Sequence, residues 1–279
     1  MPAYNASKTI RRAVLSTLRA LPENSTLWVA DDASRDGTLA ILRSIKDARL
    51  IIRTNDENRG VAATLNALVD ESQAMFIARM DADDICLPLR FTSELSLLES
   101  GIDAVFAPVV VFGSGGIRPQ RLTPIPETVA PYLLLATNPF VHSTLVARRS
   151  FFVNSGGYRQ VPAEDYDLWV RAATRGDRML RVSRPTLLYR KHATQLTASR
   201  TWKQRAAESE DTRAALATLA RKLVGSGEIS ERLDRMEPSS PERSGAIRAI
   251  STLLRDRLLA RDYHIARAHF ARLNLGLQP

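Results

Sequence analysis

Three short acidic groups in the chain have spacings that could do chemistry. Asp81, Asp83 and Asp84 follow an apolar run at residues 75–80. Side chains of an extended strand alternate faces, so Asp81 and Asp83 would project to one side. Two carboxylates held that close repel unless a proton or a cation lies between them. A hard divalent ion, Mg2+ or Mn2+, takes oxygen ligands and can bridge to a diphosphate. An Asp-rich turn or helix cap ahead of Pro88 is the plainer alternative. Asp31-Asp32 ends an earlier apolar run, 27–30, where carboxylates could accept from a base N–H or ribose hydroxyls; the plainer alternative is a helix cap through Ser34 or Asp36 ahead of Thr38. Glu164-Asp165 opens a helical pattern. Acids there offset the helix macrodipole, or one of them could act as a general base. His192 is open between metal ligand and solvated residue, His142 is equally open, and His264 and His269 are assigned to the surface.

The elements that must position these groups read as alternating helix and strand. Ile10, Val14, Leu18 and Leu21 fall at helical spacing after a Ser7 cap. Strands are expected at 27–30, 50–52, 75–80, 104–107, 144–147 and 187–190. Helices are expected after Asp36-Gly37-Thr38, around Val61–Val69, from Pro88, near 149–154 and from Glu164. Such alternation predicts an α/β fold with a mainly parallel sheet and helices on both faces. Ligands of such sheets bind beyond the carboxyl ends of the strands, where Asp31-Asp32 and the Asp81 cluster fall. Residues 113–126 are rich in Gly and Pro and read as a surface excursion. Beyond residue 200 the pattern changes to two amphipathic helical stretches, about 203–223 and 245–272, split by a polar break. The boundaries that follow are 1–200 for a ligand-binding α/β domain and 201–279 for a helical C-terminal region.

Composition narrows the classes. The net charge is +9, and only five of the 39 basic residues are Lys. Residues 201–279 carry a net +4, so the excess is spread along the chain and suits an anionic substrate or an anionic surface. No zinc-finger spacing, basic zipper or RNA-binding aromatic motif is present, and no nucleic-acid partner is expected. The single cysteine, Cys86, excludes an internal disulfide and sits in an apolar run that predicts burial. No apolar run reaches the roughly 18 residues of a membrane span, and the N-terminus has no signal-peptide core. These features predict a cytoplasmic protein, with a peripheral place on the inner face of the cell membrane as the variant to test.

One ordered series joins the groups. Pro2-Ala3-Tyr4-Asn5, Asp31-Asp32-Ala33-Ser34-Arg35-Asp36-Gly37-Thr38, Asn58-Arg59-Gly60 and Ala78-Arg79-Met80-Asp81-Ala82-Asp83-Asp84 occur in that order. His142-Ser143, Gly156-Gly157-Tyr158, Glu164-Asp165-Tyr166-Asp167-Leu168-Trp169 and Tyr189-Arg190-Lys191-His192 follow. The series resembles family 2 glycosyltransferases, inverting enzymes with the Rossmann-like GT-A fold, over nearly all of residues 1–200. The resemblance implies a nucleotide-sugar donor and a glycan or lipid-linked acceptor, as in polysaccharide biosynthesis at the cell envelope. It implies nucleotide contacts at Pro2, Tyr4, Asp32 and Asp81, with Asp81 on ribose or metal. Asp83 would be the main ligand of Mg2+ or Mn2+, with His192 a further candidate. Asp165 would be the catalytic base, with Glu164 beside it shaping the acceptor site. Gly157 would keep bulk away from the sugar, and Trp169 is expected in the core. The family's first strand precedes the Pro2–Asn5 segment, so a stub of it is expected here.

Two other classes compete. A sugar nucleotidyltransferase also uses a metal and an α/β sheet, but no Gly-rich basic loop for a triphosphate is present near the N-terminus. An inactive binding protein of the same fold is the third reading, opposed by the intact Asp83 and Asp165. The C-terminal helix is expected to pack on the catalytic domain, to mediate a dimer, or to lie on an anionic membrane.

Overall fold

The computed structural model describes residues 1–113, 115–120, 122–192, 205, 208–225 and 241–274. Strand β1 (Pro2–Ala3) leads into helix α1 (Ile10–Ala20), whose buried face is Ile10, Ala13, Val14, Thr17 and Leu18. That is the i, i+3, i+4, i+7 stripe of a helix laid on a sheet. The sheet beneath is built from β1, β2 (Leu27–Asp31) and β3 (Leu50–Thr54), all parallel, with Ala3 opposite Asp31 and Val29 opposite Ile52. Parallel neighbours need crossovers, which α1 and α2 (Thr38–Ser44) supply.

Helix α3 (Gly60–Glu71) then leads to β4 (Phe76–Ala78), and a bend through Asp81–Asp84 leads to β5 (Ile85–Cys86). Cys86 is buried, as its neighbours predict. Helix α4 begins at Arg90 and runs to Glu99, two residues later than Pro88 suggests, because Leu89 takes a left-handed conformation (φ 62) at the cap. Strands β6 (Ala104–Phe106), β9 (Val146–Arg148) and β10 (Met179–Arg181) join β4 in the order β10-β6-β9-β4. A third group runs β5-β11-β7-β8, with β7 at Val109–Gly113, β8 at Arg118–Pro119 and β11 at Leu187–Lys191. The α/β architecture thus stands, and the strands divide into three hydrogen-bonded ladders. Pairing is parallel in the first ladder, in β10–β6 and in β11–β7, while β9, β5 and β8 run antiparallel to their neighbours. The Gly/Pro-rich excursion is partly ordered: β7 and β8 form a hairpin, and Ile125 bridges Arg181.

Helix α5 (Ala130–Leu134), a 3-10 turn (His142–Thr144), α6 (Arg149–Asn154) and α7 (Glu164–Arg175) complete the region around the site. Trp169 is fully buried, with Phe106 edge-on at 4.9 Å and Phe151 at 5.9 Å. The same core takes in Leu219 of α8 (Glu210–Val224), Ile247, Ile250 and Leu254 of α9 (Pro241–Arg255), and Ala266 and Phe270 of α10 (Ala260–Asn274). The apolar faces of the C-terminal helices are therefore spent on packing. His264 is exposed, but His269 corrects the surface assignment: it is 1% exposed, because it shares a helical face with Ala266 and Phe270. No helix among the described residues is long and apolar enough to cross a membrane.

Candidate active site

The acidic stretch after β4 does not stay extended. The chain bends over Ala82–Asp84, yet the carboxylates converge, and one oxygen from each of Asp81, Asp83 and Asp84 lies within 4.8 Å of the others. Asp81 pairs with the buried Arg79 guanidinium. Asp83 Oδ2 lies 3.0 Å from His192 Nε2, which brings together the two residues expected to hold a metal. Asp84 is 1% exposed and accepts from Arg190 N at 2.8 Å, while its Oδ2 is buried with no hydrogen-bond partner. Burial, and then the Asp81 charge, push the Asp84 carboxyl up to about 8 and raise Asp83 as well. The three carboxylates bring one oxygen each within 4.8 Å of the others, and that all-oxygen donor set fits a hard divalent cation.

The bend is held from behind. Arg90, 1% exposed, donates Nη2 to Arg79 O (2.7 Å) and Ser143 O (2.9 Å), tying the acidic loop to the His142 turn. On the other side, Arg190 Nε donates to Asp83 O (2.9 Å) and its guanidinium lies 4.5 Å over the Phe112 ring.

The second acidic group stands at the N-terminus of α7, where three acids fall in the first turn. The helix starts abruptly because Ala163 is left-handed (φ 58). Asp165 Oδ2 accepts from Asn138 Nδ2 at 2.9 Å. Burial raises the Asp165 carboxyl against the hydrogen bonds from Tyr166 N and Asn138. Burial, then the Asp165 charge, push Glu164 up to about 7. His142 Nε2 bonds the Tyr158 hydroxyl at 2.9 Å, and its Nδ1 lies 3.8 Å from Glu164 Oε1, beyond hydrogen-bond reach. Burial and the Arg79 charge hold His142 well below its ordinary pKa, so it is neutral at pH 7.

Both groups line one cavity of about 990 Å3. Asp81, Asp83 and His192 stand in its wall together with Glu164, Asp165, Asn138 and Arg79, and the β7–β8 hairpin covers part of it. Pro2, Tyr4 and Asp32 do not line this cavity. They gather at the carboxyl ends of β1 and β2, where Asp32 N donates to Ala3 O (2.8 Å). Tyr4 is 47% exposed. Asp32 is buried, and its carboxylate accepts from Arg59 N (3.0 Å), Gly60 N (2.9 Å) and Asn55 Nδ2 (2.6 Å), so it caps α3 rather than α2. Asp36 takes the α2 position, accepting from Thr38 N at 2.9 Å. Gly157 is corrected as well. A Cβ there would stand 2.7 Å from Asn66 Oδ1, so its bareness (φ 70) admits Asn66, whose amide bonds Tyr158 N and O.

The sequence reading missed Arg79, Arg90, Asn138 and Tyr158 as parts of the site. Arg79 and Tyr158 lie inside the segments Ala78–Asp84 and Gly156–Tyr158, but nothing in their spacing says that they share a site. Asn138 stands alone in a weakly patterned stretch.

The model of the family described as "Glycosyl transferase family 2" matches residues 1–157. The chain belongs to glycosyl transferase family 2. Similar proteins include the putative glycosyltransferase EpsE of Bacillus subtilis, 33% identical over 64% of this chain and 66% of that protein. The amylovoran biosynthesis glycosyltransferase AmsE of Erwinia amylovora is 33% identical over 46% of this chain and 49% of its own length. WfgD of Escherichia coli, a UDP-Glc:alpha-D-GlcNAc-diphosphoundecaprenol beta-1,3-glucosyltransferase, is 28% identical over 61% of this chain and 66% of its own. These matches span two thirds or less of each relative. Among solved structures, S. aureus TarS 1-349 with UDP superposes with a TM-score of 0.63 at 14% identity, covering 99% of this chain and 90% of that one. The mannosyltransferase PcManGT of Pyrobaculum calidifontis, with GDP-Man and Mn2+, gives 0.60 at 19% identity, covering 98% and 85%. At such identities these likenesses establish the GT-A fold.

Proposed function

We propose that this chain is an inverting, metal-dependent glycosyltransferase that moves a hexose from a nucleoside-diphosphate sugar to a hydroxyl of a glycan or lipid-linked acceptor. One observation carries the reading: Asp81 and Asp83 of a metal-type carboxylate cluster and a helix-end carboxylate pair face a single cavity of about 990 Å3. The catalytic unit is residues 1–200, with 201–279 as a helical region. Asp83, with Asp81, Asp84 and His192 beside it, would hold Mg2+ or Mn2+, which supplies Lewis-acid stabilisation of charge on the leaving diphosphate. Pro2, Tyr4 and Asp32 would frame the nucleoside, because they sit at the carboxyl ends of parallel strands, and Asp81 would reach the ribose or the metal.

Asp165, oriented by Asn138, takes the proton of the acceptor hydroxyl as that oxygen attacks the anomeric carbon. The bond from carbon to diphosphate breaks as the new C–O bond forms, so one displacement inverts the centre without a covalent enzyme intermediate. Glu164 shapes the acceptor side, and neutral His142 adds no positive charge that would hold Asp165 as a tightly paired anion. A lipid-linked acceptor would place the protein at the inner face of a membrane.

The test is product analysis with nucleotide-sugars, Mn2+ and candidate acceptors. Free nucleoside diphosphate and a glycoside of opposite anomeric configuration are expected. Pyrophosphate as product would replace the reading with nucleotidyl transfer, and retained configuration would remove Asp165 from the role of base in a single displacement.

A further inference from the structure

The solvent side of α1 carries a feature that the transfer reaction does not use. Lys8, Arg11, Arg12, Leu15, Ser16 and Arg19 recur at i, i+3, i+4, i+7, i+8 and i+11, which is one helical face. They edge a groove of about 520 Å3 whose floor includes Leu15, Ile41 and Ile85. All four cations are exposed. Some exposed arginines elsewhere have carboxylate partners, as Arg53 has Glu71, Arg178 has Glu127 and Arg175 has Asp177. Others, such as Arg43 and Arg59, form no ion pair among the described residues. What sets this face apart is four cations in one row beside one groove. Among the described residues, neither Lys8 before α1 nor Arg11, Arg12 and Arg19 on it form an ion pair, and the helix has no acid in its first turn. A row of unpaired charges raises its own repulsion, and a counter-charge from outside the chain relieves it.

We propose that this face of α1 docks the protein on an anionic phospholipid bilayer. The cations meet lipid phosphates, and the partly buried Leu15, Ile41 and Ile85 offer an apolar floor for the interfacial region. The alternative face, the amphipathic C-terminal helices, has its apolar residues Ile247, Ile250, Leu254 and Phe270 in the core. The α1 face is also coupled to the site: Ser16 Oγ accepts from Cys86 N at 3.0 Å, two residues beyond Asp84. Docking through α1 would therefore set the acidic loop at a fixed height over the lipid surface. The proposal rests on the lipid-linked acceptor for its purpose and on the residues of α1 for its location.

The experiment is co-sedimentation of the full chain with phosphatidylcholine vesicles, with and without phosphatidylglycerol, at low and high salt. Binding to the anionic vesicles alone, lost at high salt, is expected. The triple variant Arg11→Gln/Arg12→Gln/Arg19→Gln should lower the partition coefficient roughly a hundredfold, since each surface cation adds a similar increment near anionic lipid. The control Arg248→Gln/Arg255→Gln/Arg261→Gln on α9 and α10 should bind like the parent. A melting curve checks each variant, and Lys8→Gln/Arg12→Gln serves if the triple is unfolded. Parent protein that stays in the supernatant at low salt overturns the proposal, as does a folded α1 variant that binds undiminished. RNA oligonucleotide binding lost in the α1 variant, without vesicle binding by the parent, would assign the groove to nucleic acid instead. None of these outcomes bears on Asp83 or Asp165, so failure here and failure of the transfer reading are separable.

Discussion

The two acidic groups of the cavity use the same functional group under different conditions. In the loop after β4, three carboxylates face one another, one has an orphaned buried oxygen, and a histidine stands 3.0 Å from another. At the start of α7, two adjacent carboxylates have an amide donor on one side and a neutral histidine on the other. Both groups are raised by burial. The loop concentrates negative charge on one point, which a divalent cation relieves. The helix end spreads its charge over the positive end of a helix dipole, and the remaining strain is relieved by a proton. On the proposed reading, that difference separates the metal site from the base.

The largest expected effect breaks the base. Asp165→Asn should leave UDP binding near that of the parent and lower turnover by roughly a hundredfold or more. Turnover within a few-fold of the parent would move the base to Glu164. The pH profile sharpens the point. A base must be deprotonated to act, and the Glu164–Asp165 pair is raised, with Glu164 near 7. Activity should therefore climb as pH rises towards and through about 7, at most tenfold per unit, and then level. A profile flat from pH 5 to 8 (roughly the span between ordinary and raised carboxyl values) would contradict the assignment.

A smaller effect separates the loop. Asp83→Asn should remove the metal-dependent part of UDP binding, roughly ten- to a hundredfold by calorimetry, without lowering the melting temperature in the absence of metal. Equal UDP affinity of the parent with and without Mn2+ would sink the metal assignment.

The smallest effect comes from a carboxylate that lines neither this cavity nor the α1 groove. Glu94 is fully buried and lies 3.9 Å from Arg90 Nε, beyond hydrogen-bond range. Burial outweighs that attraction and pushes its carboxyl up to about 8. The folded state then holds a proton that the unfolded state releases near 4.5, so stability is present at low pH and falls as pH rises from there towards 8. Glu94→Gln should match the parent near pH 4.5 and melt a few degrees higher at pH 8 and above. A variant that melts lower than the parent at both pH values would show that Glu94 works as the Arg90 counter-ion. In that case burial alone would not explain the raised groups of the cavity.

Much of this molecule was legible before any fold was in hand. Helix α1 follows from the spacing of Ile10, Val14 and Leu18, because a helix must bury one stripe whatever it packs on. Trp169 was assigned to the core on its helical spacing from Asp165, and Cys86 on its apolar neighbours. The run Asp81-Ala82-Asp83-Asp84 marks a crowding of carboxylates that repel at short range, although the extended geometry expected there gives way to a bend.

Tertiary structure decided whatever depends on residues distant in the chain. It put His192 beside Asp83, 109 residues away, through the parallel pairing of β11 with β7 and the antiparallel pairing with β5. It turned Asp32 onto the N-terminus of α3, where three donors converge, although the nearest helix in sequence is α2. It gave Gly157 to Asn66, and it buried His269 because the face that α10 turns inward is chosen by α5 and its neighbours. It set Arg90 behind the acidic loop, where a buried guanidinium satisfies carbonyls from two segments 53 and 11 residues away. Periodicity and local repulsion are properties of neighbours along the chain, and the sequence alone determines them. Convergence of donors on one carboxylate is a property of the packed fold, and no spacing in the sequence encodes it.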